Sequence, residues 1–235
     1  MPWLIARYQP TSLFSLKHSD ATSTGGKSLL VPTPFAIRTA LLDAAIRTAG
    51  VGIGPQAFNT IKSLRLAIRP PAYAAVTGAL VKVLKPEREA AARGRAMQQT
   101  IAFREYVHLA GVLSLAFGGD EATLQAITPW LMQVNYFGKR GSFMQLLEQP
   151  TLQPELPSGF VSLNGNSTSF PVDGTLQLLD DYGPNLQFDQ VNIYNDKTLK
   201  KTDRPQLRVV LPYRLRQSAR SFTLYEALDD AAALP

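Results

Sequence analysis

The chain has 235 residues, 45% of them hydrophobic, a length that holds one large domain or two small ones and a composition near the globular average. With no cysteine and only His18 and His108 as histidines, disulfide scaffolds, thiolate metal sites and cysteine nucleophiles are excluded, and a multi-histidine metal site lacks ligands. The net charge of +6 is uneven: residues 1–110 hold 14 Lys/Arg against 5 Asp/Glu, and residues 111–235 hold 10 against 13, the asymmetry expected of a protein that grips a polyanion with one face, although a solvated surface that is merely basic has the same balance.

In chain order, residues 3–8 read as a short strand that runs into Arg7 too soon for a secretory segment. No later stretch is apolar enough for a membrane span, so the expectation is a soluble, cytoplasmic protein. A polar loop over 19–28 precedes a helix over 33–49. Thr33 can cap that helix, Pro34 sits where a missing N–H costs nothing, and Ile37, Leu41, Leu42, Ala45 and Ile46 recur at helical spacing. Gly50 stops it. Gly50 to Pro55 has the look of a phosphate-cradling glycine loop, but it follows a helix where a strand is required and Pro55 removes a donor. It reads as a linker.

Residues 63–69 read as a second strand closed by Pro70 and Pro71. From 72 to 100 the pattern predicts a projecting insertion, either a β-arm or a short helix begun at Pro86. An uncharged stretch from Tyr73 to Val81 leads there into Lys82, Lys85, Arg88, Arg93 and Arg95, against Glu87 and Glu89. The strongest β signal spans 101–117. Phe103, Val107 and Leu109 alternate with Arg104, Tyr106 and His108, so one open face offers a cation, an aromatic ring and an imidazole in succession. Such a face can neutralise a phosphate and stack a base, although an ordinary solvated sheet face has the same pattern.

A second helix spans 121–134, with Pro129 set to kink it. In the turn that follows, Gly138 and Gly141 bracket Lys139 and Arg140, an arrangement that lets backbone N–H groups and two cations approach an anion. Beyond it, 158–173 is turn-rich with Asn164-Gly165 as a hairpin tip, 207–211 and 221–225 read as strands, and the tail from 229 reads as loose. The order is strand, helix, strand, basic insertion, strand, helix. This predicts an α+β, ferredoxin-like (RRM-like) fold with a basic thumb inserted between its second and third strands.

Three segments resemble a known family. Gly26-Lys27-Ser28-Leu29-Leu30-Val31-Pro32-Thr33-Pro34-Phe35-Ala36-Ile37-Arg38 resembles the entry to the opening helix of the fifth Cas protein family, in which an apolar strand leads into Pro-x-Pro and a small-residue helix. Ala96 to Val107 is similar to that family's third strand, with its aromatic-Arg-Glu core at Phe103-Arg104-Glu105, and Gly138-Lys139-Arg140-Gly141-Ser142 is similar to its glycine-rich segment. The matches lie in order over residues 1–145, and the nearest branch is type I-A-like.

The resemblance implies a RAMP domain over 1–145 with its thumb at about 72–100, and a β-rich C-terminal extension over 146–235 packed on it. It implies a subunit of a CRISPR interference (Cascade) ribonucleoprotein complex in antiviral defence. That subunit binds the crRNA 5′ handle, caps the filament of backbone subunits and contacts the large subunit, meeting target DNA only within the complex. Carried over residue by residue, Lys27 and Ser28 precede the opening helix and face the handle, and Thr33 to Arg38 present that helix's N-terminus to it. Lys82, Lys85, Arg88, Arg93 and Arg95 furnish the thumb, Arg104 lines the sheet beside Tyr106 and His108, and Lys139 and Arg140 form the glycine-rich turn. No cofactor, metal or membrane is implied.

For Arg38, snorkelling toward a handle phosphate and pairing with a buried carboxylate are both open. One branch of the family cleaves precursor crRNA without metal through a Tyr, a Lys and a His. His18 with Lys17, Lys27 and Tyr8 supplies those residue types, provided that His18 meets a tyrosine in space. A non-catalytic subunit is the preferred expectation. A precursor-crRNA endoribonuclease and a structural subunit of another RNA–protein assembly are the alternatives.

Overall fold

A computed structural model of the chain describes residues 1–19, 21, 26–86, 97–168, 170, 172–192, 197 and 199–228. β1 (Trp3–Pro10), β2 (Arg65–Arg69) and the strand Leu113–Gly118, β5 in chain order, form the centre of the main sheet in the order β1-β5-β2, all antiparallel. On the free side of β1 lie two short strands end to end, β6 (Met144–Leu146) against Tyr8–Pro10 and β7 (Thr151–Gln153) against Trp3–Ile5. The spatial order, with β6 and β7 as the fourth strand, is that of a ferredoxin-like βαββαβ unit. β8 (Val161–Ser162) extends the sheet beyond β2.

α1 (Pro34–Ala49), α2 (Gly54–Ser63) and α3 (Glu121–Leu131) cover one face of this sheet. α1 starts where the sequence indicates: Thr33 Oγ1 accepts from the Ala36 N–H at 3.1 Å, Pro34 opens the first turn, and the Gly50 N–H closes the end on the Ile46 carbonyl at 2.8 Å. Such a cap contributes about 1 kcal/mol. Asp120 caps α3 in the same way through Thr123, and Pro129 falls in its last turn. The alternation along the strands sends Leu4, Ala6 and Tyr8, Leu66 and Ile68, and Leu113, Leu115 and Phe117 to the helical side, where they are buried with Ile37, Leu41, Ile61 and Leu124. α2, which the sequence reading passes over as linker and loop, buries Ala57, Phe58 and Ile61 in this core.

The insertion differs from expectation in extent. β3 (Tyr73–Pro86) and β4 (Met97–Ala110) pair along their full lengths as one long hairpin. The continuous β signal over 101–117 is therefore two strands. Its first part is the returning limb of the arm, and only β5 belongs to the main sheet. The break falls at Gly111, whose φ of 115° side chains rarely adopt and whose Cβ would lie 3.3 Å from the Ala72 nitrogen. Of the arm, residues 87–96 lie outside the described residues, and so do Arg88, Arg93, Arg95 and the side chain of Lys85.

The C-terminal segment adds β9 (Thr175–Asp180), the short helix α4 (Phe188–Val191), β10 (Gln206–Leu211), β11 (Tyr213–Ser218) and β12 (Phe222–Ala227). β9 and β10 form a separate pair, whereas β11 and β12 join the arm in a second sheet ordered β11-β12-β3-β4. Asn164, expected at a hairpin tip, instead edges the main sheet. Its side-chain amide accepts from Leu66 N–H at 2.8 Å and donates to Leu66 C=O at 3.0 Å, standing in for a strand. The tail from 229 lies outside the described residues. Among the described residues no helix is long and apolar enough to cross a membrane, and no group of acidic residues and histidines could hold a metal.

Arg38 fastens these layers together. Only 4% exposed, it donates from Nε to Asp181 Oδ1 at 2.7 Å, from Nη1 to the Ile61 carbonyl at 2.5 Å and from Nη2 to the Leu64 carbonyl at 3.1 Å. Of the two readings open for this residue, the structure gives it the carboxylate, in the partly buried Asp181. Removing one partner of a buried pair strands the other, so Arg38→Met should lower stability in urea denaturation by about 3–5 kcal/mol. A change within experimental error would remove the pair from the account.

Candidate nucleic-acid interface

Cross-strand partners share a face, so the register of the second sheet sorts its side chains. One side packs on the core at the base of the arm through Val107, Leu109 and Ala74, each at most 2% exposed. The other side is open. Tyr106, Thr77 and Phe222 form one row across β4, β3 and β12, and His108, Ala75 and Leu224 form the next. In a third row Ala110, Tyr73 and Glu226 extend to Arg214 of β11. Rings and small residues alternate over this surface, giving a flat platform of the kind on which bases stack.

Cations rim the platform. Arg104 lies one step further out from Tyr106 on the same face, half-buried, with Nη1 donating to the Phe103 carbonyl at 3.1 Å. At the opposite end Glu226 accepts from Arg214 at 3.1 Å, from the Tyr73 hydroxyl at 3.2 Å and from Arg216. Hydrogen bonding from Arg214 holds the Glu226 carboxyl below the ordinary glutamate range. Two guanidiniums on one carboxylate leave that corner with a net positive charge. Lys82 is exposed further along β3, opposite Ile101 and on the other face of the arm, beside exposed Leu80 and Phe103. Phe103 covers Gly78, where a Cβ would fall 2.6 Å from the ring.

The loop between β1 and α1 brackets β4 to the glycine turn. Phe14 and Val107 exchange both backbone hydrogen bonds, and the Glu105 N–H donates to the Gly26 carbonyl at 2.9 Å. Ser15 bonds both ways: its N–H donates to Ser142 Oγ at 3.2 Å and its hydroxyl donates to the Glu105 carbonyl at 2.9 Å. Ser12 Oγ donates to the Gly141 carbonyl and accepts from the Phe143 N–H, both at 2.6 Å. Gly138 and Gly141 have φ of 72° and 105°, as a tight turn requires, and they leave Lys139 and Arg140 exposed.

The structure thus brings Lys27, Arg104, Tyr106 and the Lys139–Arg140 turn onto elements joined by a single loop. Ser28 and the start of the opening helix are placed otherwise. Ser28 is 8% exposed and occupied: its N–H donates to Glu105 Oε2 at 2.9 Å and its Oγ accepts from the Leu16 N–H at 3.0 Å. The N-terminus of α1 is covered, with Thr33 and Pro34 buried and the Arg204 guanidinium over the Phe35 ring at 4.1 Å. Tyr73, Phe222, Leu224 and Arg214 belong to the platform but were not singled out by the sequence. Residues 221–225 read as a strand from the sequence, but nothing in them shows the pairing with the arm.

Tyr8, the tyrosine closest to His18 in sequence, is a core residue. Its hydroxyl donates to the Leu131 carbonyl at 3.2 Å, its ring meets Phe137 edge-on, and burial pushes its ionisation well above the ordinary tyrosine value. Buried and engaged there, Tyr8 is not placed to act as a general base alongside His18.

Fold and surface together describe a ferredoxin-like α+β protein with a cationic β-arm and an open aromatic sheet face. No protein-family profile matches the chain. The CRISPR-associated protein Cas5 of Archaeoglobus fulgidus is 24% identical to it over 202 residues, covering 84% of this chain and 87% of that protein. Among solved structures, a chain of a CRISPR RNA-guided surveillance complex superposes with a TM-score of 0.50 at 14% identity, covering 98% of this chain and 92% of its own. A CRISPR protein from Archaeoglobus fulgidus gives 0.48 at 11% identity over 97% and 93%. The resemblance to the fifth Cas family read from the sequence is borne out, and it spans most of both chains.

If Tyr106 and Phe222 serve as stacking surfaces, Tyr106→Ala and Phe222→Ala should each weaken single-stranded RNA binding by about 1–3 kcal/mol while the fold is retained. Fluorescence polarisation with a labelled strand measures this, and unchanged affinity in both would mean that the platform only faces solvent.

Proposed function

We propose that the chain is a subunit of a CRISPR interference complex that binds the 5′ handle of the crRNA, caps the filament of backbone subunits and contacts the large subunit, without catalysis of its own. The observation that carries this reading is the likeness to Cas5 along 84% of the chain. The platform gives the reading a physical basis. A single strand offers bases that stack on Tyr106 and Phe222 and phosphates that seek Arg104, Lys139 and Arg140, and phosphate contacts of this kind position a strand whatever its sequence. The arm suits close approach to such a strand, because Ala75 and Ala79 keep the platform side of β3 low, and Lys82 stands exposed further along the arm on its other face.

The non-catalytic assignment is supported by the burial of Tyr8, the tyrosine closest in sequence to the half-buried His18. Incubation of the purified chain with a labelled repeat RNA in EDTA should leave the RNA intact. Specific cuts that disappear in His18→Ala would replace this reading with the endoribonuclease one. Co-expression with backbone subunits and a crRNA should yield one particle containing the chain, whereas failure to co-purify would detach it from such a complex. In that particle or in the isolated chain, Lys82→Ala with Lys85→Ala should flatten the salt dependence of RNA binding by about 0.7 in the log–log slope for each phosphate that is no longer neutralised.

A further inference from the structure

The face of the main sheet that turns away from the helices carries a second cationic feature. Arg7, Ser114 and Arg69 are cross-strand partners on β1, β5 and β2, so they stand in one row on that face. The adjoining part of the face is closed. Trp3, Ile5, Ala67 and Ala116 are buried there beneath Leu156 and Phe160. The closure stops at the arginine row, where a cavity of about 590 Å³ opens between the main sheet and the bases of the arm, β11 and β12. Pro70 and Phe160 supply apolar wall, and Thr151 and Gln153 add neutral hydrogen-bonding groups.

The charge of this cavity is unbalanced. Among the described residues no carboxylate lines it, and Arg69 is exposed with no ion pair. Arg7 meets Glu148 at 2.9 Å, but both side chains of that pair are about half exposed, at 49% and 50%, and Glu148 does not line the cavity. An exposed pair of this kind is weak and readily exchanged for another anion. Two guanidiniums two strands apart, about 10 Å backbone to backbone, can close on one anion from either side and hold it by paired N–H donors, with the Ser114 hydroxyl between them.

We propose that this cavity is a nucleotide subsite that takes one phosphate of a single RNA strand between Arg7 and Arg69 over Ser114, with the attached sugar or base against Pro70 and Phe160. The inference rests on the RNA-binding reading above and adds to it a second contact surface, on the main sheet and distinct from the Tyr106–Phe222 platform. Two guanidiniums suit one phosphodiester held from both sides. They do not match the several charges of a free nucleoside triphosphate, and the described residues provide no metal site to neutralise the rest.

The test uses the full chain and a labelled single-stranded RNA, with Arg7→Gln, Arg69→Gln, their double variant, and Ser158→Trp, which fills the cavity from its rim. The double arginine variant should lower the log–log salt slope by about 0.7, each single variant by part of that, and Ser158→Trp should reduce affinity at least tenfold with its circular dichroism unchanged. If Ser158→Trp fails to fold, the arginine slopes alone decide. Adenosine monophosphate and inorganic phosphate should displace the RNA only at concentrations far above its Kd. RNA binding by the unaltered chain that the arginine variants match in affinity and slope would overturn the subsite and leave the RNA-binding reading standing. Stoichiometric capture of the monophosphate without an effect of the variants on RNA would likewise overturn it, marking a free-nucleotide site. No RNA binding by the unaltered chain would remove both.

Discussion

A buried guanidinium determines where the working surfaces of this protein sit. Arg38 on α1 joins the carbonyls at the end of α2 and before β2 to Asp181, just past β9. The neighbouring Asp180 pairs with Arg204, whose guanidinium covers Phe35 at the start of the same helix. The β9–β10 pair is thereby moored to α1 by two adjacent carboxylates. From its other end the restraint passes on. Thr175 Oγ1 donates to the Tyr213 carbonyl at 2.5 Å, and the buried Tyr213 hydroxyl donates to the Pro71 carbonyl at 2.7 Å, at the root of the arm. A charged group that is costly to bury unpaired thus fixes, through a chain of hydrogen bonds, the position of the second sheet on the first.

Much of this architecture was legible in the residues. Thr33, Pro34 and Gly50 mark α1 because caps and proline act locally, and the alternation from Phe103 to Leu109 correctly gave the two faces of β4. What escaped was non-local. The 101–117 signal is continuous in sequence but belongs to two sheets, because Gly111 with its positive φ lets the chain leave one and enter the other. α2 was masked by glycine and proline at its start. The role of Arg38 could not be decided without Asp181, 143 residues away. The platform was only half visible for the same reason: Tyr106 and His108 announce themselves, while Phe222 and Leu224 join them only through pairing with β3.

The open sheet face and the cavity share a physical logic. Each presents apolar or aromatic surface beside guanidiniums that the fold does not fully neutralise, the Arg214–Arg216 pair at the corner of the platform, Arg7 and Arg69 in the cavity. Aromatic surface alone would invite self-association, and charge alone would bind polyanions without fixing a conformation. Together they suit a flexible strand whose bases and phosphates alternate. The bracket made by Ser12, Ser15 and Gly26 then brings the glycine turn to the edge of the platform without using either cation of the turn, so Lys139 and Arg140 stay available.

The most direct test of the central claim is ultraviolet crosslinking of guide RNA to the full chain, with attachment sites read by mass spectrometry. Attachment at Tyr106, His108 or Phe222 is the predicted result. Crosslinks confined to the helical side, on the exposed faces of α1 and α3, would contradict it.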